Sequence, residues 1–201
     1  MIHADLHIHS IYSSDSSITP KALVEQLLAH NLVKVAALTD HDTIEGCVFT
    51  RQLASSYPDI LIIPGVEIST QEGDIVVLGA EEMPPHPWTA ENIVDFARST
   101  GSVSIAAHPY REYGMGDKAK NYKIDAVEIL NGCSPSSANK AAQSLAELMG
   151  VPGVAGSDAH QPSELLSVYT QIEASLDVDE ILKAIRKGSV SIPPFGQSIR
   201  F

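Results

Sequence analysis

Histidine and carboxylate side chains recur where predicted strands end. The first strand carries Asp5, His7 and His9 at alternate positions, and alternate residues of a strand point to the same side. Two imidazoles on one face of a strand lie close enough to bind one cation. Asp15 follows in a loop rich in Ser and Asp. Four later strand ends carry further residues of this kind: Asp40, His41 and Asp42, then Glu67, then His108, then Asp158 and His160.

This combination of side chains indicates a metal centre. Imidazole and carboxylate ligands suit zinc, manganese or iron. In a parallel α/β architecture the carboxyl ends of the strands lie on one face, so we expect the side chains of five strand ends to converge there. A carboxylate such as Glu67 is suited to bridge two cations, and paired cations generate hydroxide and clamp phosphoryl oxygens. The pattern therefore predicts a metal-dependent hydrolase.

Each residue also has a structural explanation when it is taken alone. A single His-x-His pair is more often surface or turn chemistry than a pair of ligands. Asp40, Asp42 and Asp158 would be ordinary helix N-caps, and Glu67 after a Pro-Gly turn would be an ordinary solvated side chain. The agreement of five strand ends favours the metal site. Three histidines lack such neighbours and are predicted to be structural or exposed: His3, His30 and His86.

Predicted strands and helices alternate along the chain. The predicted strands are 2–8, 33–38, 60–63, 74–78, 102–107, 124–130, 151–155 and 168–172. The predicted helices are 20–30, 43–56, 89–100, 136–149 and 178–187, with Thr19 and Thr89 as N-caps. This alternation is typical of a mostly parallel sheet covered by helices. Seven or eight strands favour a closed or nearly closed α/β barrel, with an open doubly wound sheet as the alternative.

The composition is that of an ordinary globular protein with an acidic balance. The 201 residues, 44% hydrophobic and 19% charged, fit one domain over 1–201. A formal net charge of −12 disfavours long nucleic acids and anionic membranes as partners. No apolar run approaches the roughly 18 residues of a membrane span. Two cysteines and no signal-peptide pattern make a cytoplasmic setting the default expectation. The oligomeric state is not predicted.

The order of these motifs resembles the PHP (polymerase and histidinol phosphatase) superfamily. The matching segments are His7-x-His9, Asp15, Thr39-Asp40-His41, Gly65-Val66-Glu67, Ala107-His108-Pro109 and Gly156-Ser157-Asp158-Ala159-His160. The resemblance implies a distorted (β/α)7 TIM-like barrel and a compact, stand-alone phosphoesterase. It also implies two or three divalent zinc, manganese or iron ions per chain, and hydrolysis of phosphate esters by metal-bound hydroxide.

By motif, the resemblance assigns ligands to three metal ions. The first ion would be held by His7, His9, Glu67 and Asp158. The second would share Glu67 and also be held by His108. The third would be held by Asp15, His41 and His160.

The sequence departs from the family pattern at one place. Many members with three metals carry a further histidine just after the strand that corresponds to 74–78, and that segment here reads Leu78-Gly79-Ala80-Glu81-Glu82. Either Glu81 replaces the histidine, or the second ion binds weakly or is absent.

The predicted reaction is hydrolysis of a phosphate monoester or terminal phosphodiester, with a small metabolite, a nucleotide or an oligonucleotide end as substrate. The guanidinium of Arg111 is placed to clamp a phosphate with two hydrogen bonds; the alternative is a surface arginine paired with Glu112 or Asp117. Asp158 and His160 are candidates to pass a proton to the leaving group.

Two further functions remain as alternatives. Related barrels with a His-x-His on the first strand cleave carbon–nitrogen bonds, often with a carboxylated lysine as the bridge between metals. Here Glu67 stands at the bridging position and no lysine ends a central strand, which favours phosphoester chemistry. The second alternative is a non-catalytic PHP-like module that binds metal, but such modules often lose ligands and this chain keeps nearly all of them.

Overall fold

The computed structural model describes residues 1–193, whose strands form one nearly closed, barrel-shaped sheet. The strands are β1 (Ile2–Ile8), β2 (Val35–Leu38), β3 (Leu61–Ser69), β4 (Asp74–Leu78), β5 (Val103–Ala106), β6 (Ala126–Asn131), β7 (Gly153–Gly156), β8 (Thr170–Ile172) and β9 (Val190–Ser191). Their order in the sheet is β7-β6-β5-β4-β3-β2-β1-β8-β9. The helices are α1 (Pro20–Ala29), α2 (Glu45–Ala54), α3 (Ala90–Thr100), α4 (Ser136–Met149) and α5 (Val178–Arg186).

Backbone hydrogen bonds from β1 to the segment after β7 bring the two halves of the sheet together. The N–H of Asp158 donates to the carbonyl of His7 at 2.7 Å, and the N–H of His9 donates to the carbonyl of Ala159 at 3.0 Å. The prediction of a distorted α/β barrel is therefore confirmed, and the open doubly wound sheet is not what the chain forms.

Two strands run against the other seven. β4 pairs antiparallel with both β3 and β5, and β8 pairs antiparallel with β1. β4 follows β3 after four residues, too few for the crossover that a parallel neighbour needs. Its first residue, Asp74, therefore lies beside Ser69 at the carboxyl edge of β3, and its last residue lies at the opposite end of the barrel.

The predicted helices are confirmed, with ends that move by up to two residues. The hydroxyl oxygens of Thr19 and Thr89 accept the N–H groups of Ala22 and Asn92, as expected of N-caps. α2 begins at Glu45 without a side-chain cap, so capping does not explain the aspartates that follow β2. No helix among residues 1–193 has the length and apolar character needed to cross a membrane.

Apolar side chains fill the barrel interior and the space beneath the helices. Leu6, Val76 and Ile105 meet inside the barrel with Ile181 and Ile185 of α5. α3 and α4 cover the outer face of β3–β6, while α1 and α2 cover the outer face of β1–β3. The interior is therefore packed with side chains, and polar groups gather at the carboxyl edge of the strands.

Two leucines of α4 test which face of the helix packs on the sheet. Leu145 is 2% exposed and Leu148 is 70% exposed. We expect Leu145→Ala to lower the free energy of unfolding by about 2–5 kcal/mol because it leaves a cavity. Leu148→Ala, the matched control, is expected to change it by less than about 0.5 kcal/mol. Chemical denaturation measures both; equal losses would show that α4 does not pack as described.

Candidate metal centre

Four buried side chains bring their ligand atoms together at the carboxyl edge of the barrel. His7 Nε2 and His9 Nε2 lie 3.1 Å apart, and each lies 3.1 Å from Glu67 Oε2. Asp158 Oδ1 lies 3.5 Å and 3.2 Å from the same two nitrogens. All four side chains are at most 2% exposed.

These separations fit one bound cation. With metal–ligand bonds of about 2.0–2.1 Å, the ligand atoms of a tetrahedral zinc ion lie about 3.4 Å apart. Burial tends to lower the pKa of His7, but the carboxylates of Glu67, Glu128 and Asp158 outweigh it and raise that pKa well above its usual value. The same three carboxylates would attract a bound cation.

In two of the imidazoles, Nδ1 lies within hydrogen-bond distance of an acceptor oxygen. His7 Nδ1 lies 3.1 Å from Glu128 Oε1, and His160 Nδ1 lies 2.8 Å from the carbonyl oxygen of Asp158. Since a carboxylate and a carbonyl only accept, Nδ1 carries the hydrogen in both rings. Nε2 of each neutral imidazole is then free to bind a metal.

Ser13 accepts a hydrogen bond from Nδ1 of His9 and connects this imidazole to Asp40. The Ser13 hydroxyl donates to Asp40 Oδ1 at 3.0 Å, so its oxygen accepts from His9 Nδ1 at 3.2 Å and from the N–H of His41 at 2.9 Å. Asp40 also accepts the N–H and the hydroxyl of Ser10. The aspartate that follows β2 therefore holds a candidate ligand histidine through Ser13 and does not cap α2.

A second group of side chains lies on the more open side of the centre. Asp15 Oδ2 is 3.5 Å from His41 Nε2 and 3.3 Å from His160 Nε2. The rings of His41 and His160 each lie 4.3 Å from the ring of His9. Asp15 is half exposed, whereas His41 and His160 are partly buried. Asp15, His41 and His160, called here the imidazole-rich set, border solvent.

Glu67 joins all of these groups. Its Oε2 faces His7 and His9 and lies 3.3 Å from His41 Nδ1, while its Oε1 lies 3.0 Å from His108 Nε2. Burial tends to raise the pKa of Glu67, but His7 and hydrogen bonds from the surrounding histidines hold it well below its usual range. A carboxylate whose two oxygens face different groups is placed to bridge two cations.

Comparison with known proteins identifies the family. A family model described as PHP-associated matches residues 136–190. An uncharacterised protein of Methanocaldococcus jannaschii is 32% identical over 140 residues, which cover 64% of this chain and 81% of that protein. The chain belongs to the PHP superfamily.

Two other similar proteins are longer than this chain. A 5'-3' exoribonuclease of Haemophilus influenzae is 42% identical over 85 residues, 41% of this chain and 30% of that protein. A Bacteroides vulgatus structure, described as a two-domain protein containing a predicted PHP-like metal-dependent phosphoesterase, shares the fold with a TM-score of 0.79 at 18% identity. That match covers 94% of this chain and 63% of the Bacteroides chain.

The structure brings all eight metal ligands predicted from the PHP pattern to this centre, but it excludes Glu81. That side chain is 67% exposed and pairs with Arg51 of α2 at 2.7 Å. Because β4 is antiparallel, the residues after it lie at the opposite end of the barrel. Asp74 at the beginning of β4 is buried instead, with a ligand atom within 4.8 Å of those of Glu67 and His108.

Glu128 contacts the candidate centre and was missed by the sequence analysis. It lies inside β6, and its Oε2 accepts the N–H of His108 at 2.8 Å and the amide of Asn131 at 3.0 Å while its Oε1 holds His7. The available signal was a charged residue within the apolar run of β6. Asp5 accepts the backbone N–H groups of His7, Ser157 and Leu166.

Arg111 lies at the centre rather than on a remote surface. Its Nη1 is 2.7 Å from Asp158 Oδ2 and 3.3 Å from Asn131 Oδ1. Asp117, the predicted alternative partner, pairs with Lys120 instead. Burial tends to raise the pKa of Asp158, but His7 and His9 hold it far below its usual range. Asp158 therefore remains a carboxylate at neutral pH.

Strained backbone marks the same edge. His108, Asp158 and Asp42 have positive φ angles of 26°, 54° and 54°. Such conformations cost on the order of 1–3 kcal/mol for residues other than glycine and cluster at functional sites. Their surroundings fix them: Glu128 holds the N–H of His108, and the carbonyl of His7 holds that of Asp158.

Replacement of Glu128 tests its support of the centre. Glu128→Gln keeps the shape but removes the charge that holds His7 Nδ1, so we expect metal affinity to fall about 10–100-fold. Isothermal titration of the metal-free protein with Zn²⁺ measures the change. Glu147→Gln on the exposed face of α4 is the matched control. Equal affinities in both variants would rule out this role.

Proposed function

We propose that this PHP protein is a metal-dependent phosphoesterase that hydrolyses a phosphate monoester or terminal phosphodiester of a small metabolite, nucleotide or oligonucleotide. The position of Arg111 beside three converging sets of metal-type ligands carries the proposal. A guanidinium binds a phosphate with two parallel, charge-assisted hydrogen bonds. Arg111 is 30% exposed and adjoins Asp158, so it borders both solvent and the centre.

The proposed metal ligands are those of the PHP pattern: His7, His9, Asp15, His41, Glu67, His108, Asp158 and His160. Divalent cations bound there would supply an activated water and neutralise charge on the phosphoryl oxygens. Zinc, manganese and iron all accept this combination of imidazole and carboxylate. The number of ions and the native metal are part of the proposal.

The chain's own residues divide the remaining tasks. Arg111 would bind and orient the phosphate from the side of Asp158. Because Asp158 stays ionised, it is suited to hold a cation and not to donate a proton. His160 presents Nε2 toward the open side near Asp15. Of the two predicted proton donors this leaves His160, which would donate to the leaving oxygen only in a state in which its Nε2 is protonated and holds no cation.

The direction of approach follows from exposure. His7, His9, Glu67 and Asp158 are buried, while the imidazole-rich set and Arg111 border solvent. A phosphate that enters from this side would meet Arg111 and the imidazole-rich set before the buried ligands. A terminal phosphate fits such an opening better than an internal one, because the buried side offers no path for a continuing chain.

Two observations favour this function over the alternatives. The bridging position holds Glu67, in contrast to the carboxylated lysine that often bridges the metals of carbon–nitrogen hydrolases. All eight predicted ligands meet at one edge, whereas non-catalytic PHP-like modules often lose some of them. The exoribonuclease relative supports an oligonucleotide end as one of the candidate substrates.

A phosphate-release assay tests the proposal. Metal-free protein reloaded with Mn²⁺, Zn²⁺ or Fe²⁺ would be assayed against phosphomonoesters, nucleoside bisphosphates and short oligonucleotides. We expect metal-dependent turnover that His9→Ala abolishes. Arg111→Gln is expected to lower kcat/KM about 10–100-fold, the effect of removing a charge-assisted hydrogen bond of about 1.5–3 kcal/mol.

The control variant is Arg98→Gln, which removes an exposed arginine of α3. Among the described residues this arginine pairs only with Asp95, and its replacement is expected to leave kcat/KM unchanged. No phosphate release with any metal, in protein whose bound metal is verified by elemental analysis, would contradict phosphoester hydrolysis.

A further inference from the structure

A bulge in β6 brings the side chain of Asn131 to the carboxyl edge of the barrel. The register of the β6–β7 ladder shifts between Glu128 and Leu130, so Ile129 is an extra residue in β6. Residues three positions apart in a regular strand point to opposite faces. With the extra residue, Glu128 and Asn131 point the same way, and their side chains are hydrogen-bonded at 3.0 Å. Bulges of this kind re-aim side chains and are common next to active sites.

The amide of Asn131 is buried, and both of its ends are hydrogen-bonded. The residue is 1% exposed. Its Nδ2 donates to Glu128 Oε2 at 3.0 Å and to Asp158 Oδ2 at 3.2 Å. Its Oδ1 accepts the N–H of Cys133 at 3.0 Å and the hydroxyl of Ser134 at 2.9 Å. Because a carboxylate only accepts and a backbone N–H only donates, these partners fix which end of the amide is the oxygen.

Helix α4 holds the backbone of the same residue. The N–H of Asn131 donates to Asn139 Oδ1 at 3.1 Å, and Asn139 Nδ2 donates to the carbonyl of Asn131 at 3.1 Å. Asn139 is the fourth residue of α4 and is 6% exposed. The side chain and the main chain of Asn131 are therefore both fixed, and its Oδ1 is an acceptor with a defined position.

One nitrogen of Arg111 lies between this acceptor and Asp158. Nη1 is 2.7 Å from Asp158 Oδ2 and 3.3 Å from Asn131 Oδ1. The two hydrogens of Nη1 lie in the guanidinium plane, so two acceptors on this nitrogen define the plane. Within residues 1–193, Nε and Nη2 of Arg111 have no hydrogen-bond or ion-pair partner. An edge formed by two such nitrogens binds two phosphate oxygens in parallel.

We propose that Asn131 is a positioning residue for Arg111: it holds Nη1 so that the edge formed by Nε and Nη2 is presented to the phosphate of the substrate. Asp158 alone would attract the guanidinium without fixing its plane. The inference rests on the proposed function, in which Arg111 binds the phosphate, and it names the residue that sets the orientation of that arginine.

Binding of inorganic phosphate tests this role without hydrolysis. Phosphate would be titrated by calorimetry into protein loaded with Mn²⁺, with the bound metal counted by elemental analysis. We expect Asn131→Ala to weaken phosphate binding about 10-fold, the effect of losing one hydrogen bond to a charged group. Asn92→Ala removes an exposed asparagine of α3 and is expected to match the unaltered protein.

A double-mutant cycle distinguishes positioning from a general structural role. If Asn131 acts through Arg111, adding Asn131→Ala to Arg111→Gln should weaken phosphate binding by less than about twofold. A residue that only supports the fold or the cations would cost the same with and without the arginine. Asn139→Ala gives the same test if Asn131→Ala folds poorly, because it removes the support from α4 and leaves the amide of Asn131 in place.

The inference fails if Asn131→Ala binds phosphate as tightly as the unaltered protein, or if the loss is equal in the Arg111→Gln background. It also fails if the unaltered protein binds no phosphate. A loss that depends on Arg111, in protein that releases phosphate from no ester, would contradict the phosphoesterase and leave the role of Asn131 intact. The two failures are therefore distinguishable.

Discussion

Glu67 is a fully buried carboxylate, and its need for partners organises this end of the molecule. An ionised carboxylate without compensation is expensive to bury. Glu67 meets this constraint through His7, His9, His41 and His108, which reach it from β1, β2 and β5. These histidines reach Glu67 only if each strand ends at the level of its carboxylate in the barrel. The register of the strands therefore determines the positions of the candidate ligands.

The surrounding residues fix the orientation of the candidate ligand imidazoles and the ring nitrogen that carries the hydrogen. Glu128 serves His7 and the backbone of His108, while Asp40 reaches His9 through Ser13. Close packing restricts the position of His7, because a Cβ added at Gly156 would lie 2.3 Å from the Cβ of His7. Since α5 and the apolar interior fill the barrel below, the exposed groups of the centre are, among residues 1–193, the imidazole-rich set and Arg111. Position, protonation and access therefore follow from the same packing.

The sequence predicted much of this arrangement because one simple rule applies to most of the strands. Parallel strands present their carboxyl ends on one face, and that rule located the candidate ligands at the carboxyl ends of β1, β2, β3, β5 and β7. It failed at β4, where the short connection from β3 reverses the direction and brings Asp74 rather than Glu81 to the edge. It also had no means of finding Glu128, which acts from within a strand. Pairing direction and contacts distant in sequence required the folded chain.

The most direct test of the metal centre is anomalous X-ray diffraction from crystals soaked with Mn²⁺, recorded above and below the manganese absorption edge. The account predicts difference peaks among His7, His9, Glu67 and Asp158, with a further peak between Glu67 and His108. Manganese bound elsewhere on the protein, with no peak around Glu67, would contradict the assignment of this edge as a metal centre.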